Sequence, residues 1–125
     1  MEPTQIMQNV AVLNIVNLTP HTITLLDSND QSILLIASSG VARVSAQTTV
    51  IGYYFLKETK IPRTHTVYGQ IEGLPDPEHG IIYIVSGMVK SALVAQGIVR
   101  NDVVVPGNQV RDEQGQVIGC RSLDV

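Results

Sequence analysis

Asn17, Thr19 and His21 bring an amide, a hydroxyl and an imidazole together in the run Asn17-Leu18-Thr19-Pro20-His21, between two strongly apolar stretches. An amide and an imidazole can each donate and accept hydrogen bonds, so they suit the edge of a nucleobase. Pro20 biases Thr19 towards extended backbone, which makes the run a stiff turn presenting Asn17 and His21. The plainer use of the same side chains is to satisfy their own loop backbone. His21 has no second histidine at helix or strand spacing, and His65 and His79 fall in other loops, so no metal site is expected.

Three further places carry groups that bind anions or sugars. Ser86-Gly87 stands where a strand gives way to a helix. A helix start offers free N–H groups and partial positive charge to a phosphate, and Gly87 lets a ligand approach the backbone. The alternative is a plain N-cap on Ser86. Arg100-Asn101-Asp102 follows the helix. A guanidinium fork matches phosphate and a carboxylate accepts from ribose hydroxyls, while a local Arg–Asp pair is the simpler reading. Arg43 lies in the apolar segment Ser39-Gly40-Val41-Ala42-Arg43. Alternation puts Val41 and Arg43 on one face and Ala42 and Val44 on the other. Facing inward, Arg43 needs an anion; on an edge strand it points to water.

No catalytic constellation is visible. There is no nucleophile elbow, Cys120 has no adjacent base and reads as a small buried hydrophobe, and Asp76 and Glu78 lie in a proline-rich loop. The chain is therefore read as a binding protein without cofactor, not an enzyme. Tyr53, Tyr54, Tyr68 and Tyr83 are able to stack on a base, but tyrosines more often pack in the core.

The elements that must position these groups are short and strand-like. Val10–Val16 and Thr22–Asp27 read as strands, and Ser28-Asn29-Asp30-Gln31 turns into Ile33–Ile36 as a hairpin. Val41–Val44 and Thr48–Leu56 follow, the second with a bulge at Gly52. Pro62 makes Lys57–Arg63 a loop or an edge, and Thr64–Ile71 alternates as a strand. Two prolines and two glycines keep Gly73–Gly80 irregular. Ile81–Val85 is a buried strand. One helix is predicted near residues 87–96, capped by Ser86, with Met88, Val89, Ala92 and Leu93 on one face and Gly97 at its end. Val103–Val105 is a short strand stopped by Pro106-Gly107, and Val117–Cys120 closes the chain after an Asp112–Gly115 turn. The expected fold is mainly β (α+β): a small antiparallel barrel or sandwich with one short helix, one domain over residues 1–125.

Composition sets the outer limits. Hydrophobic residues make up 44% and charged ones 15%, which argues against disorder and leaves apolar surface for another subunit. A homo-oligomer is expected. The net charge is −3 and the cations are scattered, so no nucleic-acid partner is expected. Met1-Glu2-Pro3-Thr4 lacks a cationic leader, and no apolar run reaches membrane-spanning length, so the chain reads as cytoplasmic with no membrane partner.

Asn17-Leu18-Thr19-Pro20-His21, Ser39-Gly40-Val41-Ala42-Arg43, Gly69-Gln70-Ile71-Glu72-Gly73-Leu74-Pro75, Tyr83-Ile84-Val85-Ser86 and Arg111-Asp112-Glu113-Gln114-Gly115 together span most of the chain. In these runs the sequence resembles a family of small proteins of tailed bacteriophages and bacterial genomes, mostly of unassigned function. In size and lack of catalytic machinery it is also similar to compact phage proteins that sequester nucleotide immune signals. Such signals include the cyclic ADP-ribose isomers of Thoeris defence and cyclic oligonucleotides. The clustering of polar residues at loops fits that class: Arg43 and Arg100 would take phosphates, Ser86 and the Gly87 N–H another phosphate oxygen, Asp102 a ribose, and Asn17 or His21 an edge of the base, with Thr19 beside them in the site. The alternatives are a hydrolase acting on the same ligands through His21, and a phage structural or assembly protein.

Overall fold

The computed structural model describes residues 8–125, so the reading of Met1–Thr4 lies outside the described residues. Eight strands and one helix follow in order. They are β1 (Asn14–Asn17), β2 (Ile23–Leu26), β3 (Ser32–Ile36), β4 (Arg43–Leu56), β5 (Thr59–Glu72), β6 (Ile81–Ile84), α1 (Gly87–Ala95), β7 (Val103–Arg111) and β8 (Val117–Asp124).

Local chemistry accounts for the boundaries. Asp27 closes the β2–β3 hairpin by accepting from the Asn29 and Gln31 N–H groups, both at 2.9 Å, while Asp30 takes a left-handed φ of 62°. Asp112 repeats this device at the β7–β8 turn, accepting from Gln114 and Gln116. Ser86 caps α1 through Val89 N–H, and Gly97 ends it at φ 70°, with Ile98 N–H returning to Leu93 O.

Six strands form one sheet in the order β1-β6-β7-β8-β2-β3. Most paired residues are antiparallel, but β1–β6, β6–β7 and β2–β8 run parallel. The β6-α1-β7 segment is therefore a crossover unit, which is where the single helix belongs. The sheet curls until its two edges meet. Asn17 of β1 bridges to Ser38 just beyond β3, leaving a nearly closed barrel. At Gly119 a β-carbon would stand 2.8 Å from the Leu26 side chain and 2.9 Å from Thr24 O, so β2 and β8 lie flush because that residue has none.

The two faces of β6 serve two cores. Tyr83 and Val85 pack with Val89, Leu93 and Val103 beneath the helix. Ile84 packs with Ile36 and Val104 inside the barrel, flanked by Ile15, Ile23, Ile82 and Leu123. Burial on both faces explains the unbroken apolar run of β6.

β4 and β5 form a separate two-stranded ribbon, paired from Arg43–Glu72 to Leu56–Thr59. Its base is tied to α1 through Gln96 Nε2 donating to Gly69 O at 2.7 Å. The part beyond, from Thr48 to the turn, extends roughly 30 Å at the usual rise of an antiparallel strand.

Five expectations need correction. Of the two readings of Lys57–Arg63 the edge holds and the loop does not: only Lys57 and Glu58 turn, and Pro62 sits in β5 opposite Tyr53. A two-stranded ribbon is all edge, so a proline missing its N–H is accommodated there. Val41–Val44 and Thr48–Leu56 are parts of one strand that starts at Arg43. Pro106-Gly107 does not stop β7, which continues to Arg111 with Pro106 opposite Leu123. β8 runs past Cys120 to Asp124, because that extended β7 supplies a partner. β1 begins at Asn14, not Val10, because β6 offers partners only from Ile81 onward. The bulge at Gly52 is present as a register shift between Val50 and Gly52.

Candidate functional site

Parallel pairing gathers several of the candidate residues at one rim. β1 and β6 end together, with Asn17 opposite Ile84, and β3 ends beside them at the Asn17–Ser38 bridge. Three connections leave this rim: Leu18–Thr22, Ala37–Ala42 and Val85–Ser86. They are knitted by Leu18 N–H to Ile84 O (2.8 Å), Ser39 N–H to Asn17 O (2.9 Å) and Ala42 N–H to Leu18 O (3.0 Å).

Asn17 is the rim's internal fastener. Its side chain is 0% exposed, and all four of its hydrogen-bonding positions are filled. Nδ2 donates to His21 O at 2.7 Å and to Ile36 O at 2.9 Å. Oδ1 accepts from Thr19 N–H at 2.9 Å and the Thr19 hydroxyl at 2.7 Å. A buried amide so engaged has nothing left for a ligand. Of the run, Pro20 and His21 are exposed, while Leu18 and Thr19 are buried.

Ser86 spends its hydroxyl on the α1 cap at 3.3 Å, while Gly87 is exposed with open space where a side chain would be. The first turn of α1 carries no acidic residue, so its positive end is uncompensated by the chain itself. Arg43 follows Ala42 directly. Ala42 and Val44 pack with Val85 and Val89, which leaves Arg43 pointing outward, opposite Glu72. Arg43, Ser45, Gln70 and Glu72 line a polar cleft of about 310 Å³ at the base of the ribbon.

Arg100 and Asp102 lie elsewhere, at the amino ends of β6 and β7. Asp102 O accepts from Tyr83 N–H at 2.8 Å. Arg100 Nε and Nη2 each reach the Asp102 carboxylate at 2.8 Å, and Nη2 also donates to Pro75 O at 2.9 Å. The pair is largely sheltered, with side-chain exposures of 13% and 18%. Its hydrogen bonds hold the Asp102 carboxyl below the usual carboxylate range and the Arg100 guanidinium above its ordinary value. This pair pins the Gly73–Gly80 loop and does not meet the rim.

Cys120 is buried, and desolvation pushes its thiol up. It lines a cleft of about 180 Å³ with Thr22, Thr24, Gln109 and Ile118. Among the described residues no three His, Cys, Asp or Glu side chains gather to hold a metal ion. No described helix is long and apolar enough to cross a membrane.

Ser45, Gln70 and Glu72 were missed as neighbours of Arg43. Their signal was present in the ribbon register, which follows once Lys57-Glu58 is taken as a two-residue turn. The chain matches no family model, no curated protein and no solved structure.

Proposed function

We propose that this chain is a non-enzymatic, homo-oligomeric binding protein for a nucleotide-derived small molecule, of the ADP-ribose type or a cyclic oligonucleotide. Its role is to withhold that signal from antiviral defence in the cytosol of a phage-infected bacterium. The observation that supports this reading is that the connections carrying three anion- and base-reading groups leave one rim of the sheet. The three groups are the open Gly87 start of α1, outward Arg43 in its polar cleft, and exposed His21. Gly87 N–H and Arg43 take phosphate oxygens, and His21 meets the base or ribose. Asn17, Thr19 and Ser86 shape the rim through bonds within the chain. Arg100 and Asp102 are not included, because they hold each other at the other end of the strands.

The test is to mix the purified protein with cyclic and ADP-ribose nucleotides, remove free ligand, denature by heat and weigh what is released. Intact ligand appearing only after denaturation supports sequestration. A changed product mass favours the hydrolase reading, with His21 as the working group.

The ribbon favours a second reading, a phage structural or assembly protein, because its apolar length projects from the body. That reading expects stable association with other phage proteins and no small ligand released.

A further inference from the structure

The chain exposes more surface than a compact protein of its size. Its accessible area is 9382 Å², against about 6,500 Å² expected for a folded monomer of this mass. Counting the first seven residues as fully exposed removes at most about 1,200 Å² of the difference, from the scaling for unfolded chain. Roughly 1,700 Å² of excess remains, within what one partner contributes to an obligate interface.

The ribbon carries exposed apolar side chains along its length. Val50, Ile51, Tyr54, Phe55 and Leu56 are exposed, Phe55 at 70%. Cross-strand register puts Tyr54 with Ile61 on one face and Tyr53 with Pro62 on the other, so both faces are apolar. An isolated two-stranded hairpin is marginal in water. The ribbon is also cationic. Arg43–Glu72 carries four cations against two carboxylates, and the rest of the chain four cations against nine. Lys60 stands 3.9 Å over the Tyr53 ring and Arg63 donates to Tyr54 Oη, so the tip pairs charge with aromatic surface.

A complementary surface lies on the body. The seam between β1 and β3 is joined at Asn17–Ser38 and opens below it into a cleft of about 410 Å³ lined by Val12, Leu13, Leu34 and Leu35. Leu35 is 66% exposed, and the turn leading into β3 carries Asp27, whose carboxylate accepts two N–H groups of that turn, and Asp30, which pairs with Arg121. The exposed apolar seam matches the apolar faces of the arm, and the body's excess of carboxylates matches the arm's excess of cations.

We propose that the β4–β5 ribbon is an intersubunit arm that packs over the β1–β3 seam of a second copy of this chain. This stands whichever ligand the rim takes. The probes are light scattering of the full chain and a mixed cross-link. Phe55→Cys and Leu35→Cys chains are prepared separately, mixed and oxidised. The expected results are an oligomer for the wild type and a disulfide-linked pair joining one chain of each kind. Phe55→Glu weakens assembly at least tenfold with an unchanged circular dichroism spectrum. A monomeric wild type overturns the proposal. So does an oligomer that yields no mixed cross-link, or binding of duplex DNA or anionic vesicles by the ribbon in place of self-association.

Discussion

Asn17 Nδ2 donates to Ile36 O at 2.9 Å, joining the first and last strands of the curled sheet through one side chain. The same amide also fixes the turn that follows it, through His21 O and both donors of Thr19. Asn17→Asp removes two donors and sets a carboxylate against two carbonyl oxygens. The expected loss is about 3 kcal/mol, since each orphaned buried group costs about 1–3 kcal/mol. In a melt that corresponds to a fall of roughly 10 °C. A variant melting within two degrees of wild type contradicts the assignment of Asn17 as the fastener.

Asp102 has a depressed folded-state pKa because Arg100 bonds to its charged form. A depressed carboxyl stabilises fully above its unfolded pKa, near 3.9. It loses that stabilisation as pH falls through the lower folded value. Asp102→Asn is therefore less stable than wild type from about pH 5 upward, by about 2 kcal/mol for a sheltered charged group left without its partner. The two proteins converge as the pH falls through the depressed folded-state value. Denaturant midpoints measured from pH 2.5 to 7 check both sign and window.

Arg43 is exposed, and no side chain of the cores depends on it. Arg43→Ala is expected to leave the melting midpoint within about one degree, as surface changes do. It is expected to weaken a phosphorylated ligand by at least about tenfold, the worth of a charge-assisted hydrogen bond. Calorimetric titration beside a thermal melt separates the two effects.

Cys120 is buried with its thiol pushed up by desolvation. Alkylation at pH 8 is expected to be slow in the folded protein and rapid in denaturant. Fast labelling of the native chain would show that the strands around Gly119 and Cys120 open readily.

The sequence carried the short-range part of the fold well. Turns built on Asp27 and Asp112, the Ser86 cap and the Gly97 stop are spelled in neighbouring residues, and the chain follows them. Strand pairing at a distance was less legible. Nothing near β1 tells Asn17 that its partner is Ile84 rather than β2, so the parallel pairs were not foreseen. Pro106 reads as a break and Pro62 as the mark of a loop or an edge, because a proline lacks an N–H, yet each occupies a position in an extended strand. The candidate residues divided for the same reason. The connections holding Asn17, His21 and Gly87 leave the same end of the sheet because β1 and β6 are parallel, whereas Arg100 and Asp102 fall at the strands' other end. Spacing along the chain held neither fact.

Native mass spectrometry of the full chain, alone and after incubation with ADP-ribose and cyclic dinucleotides, is the most direct measurement. The expected spectrum holds an assembled species whose mass rises by that of one intact nucleotide per site. A bare chain at every nucleotide concentration, or a bound mass matching a cleaved product, contradicts the proposal that the rim sequesters such a signal.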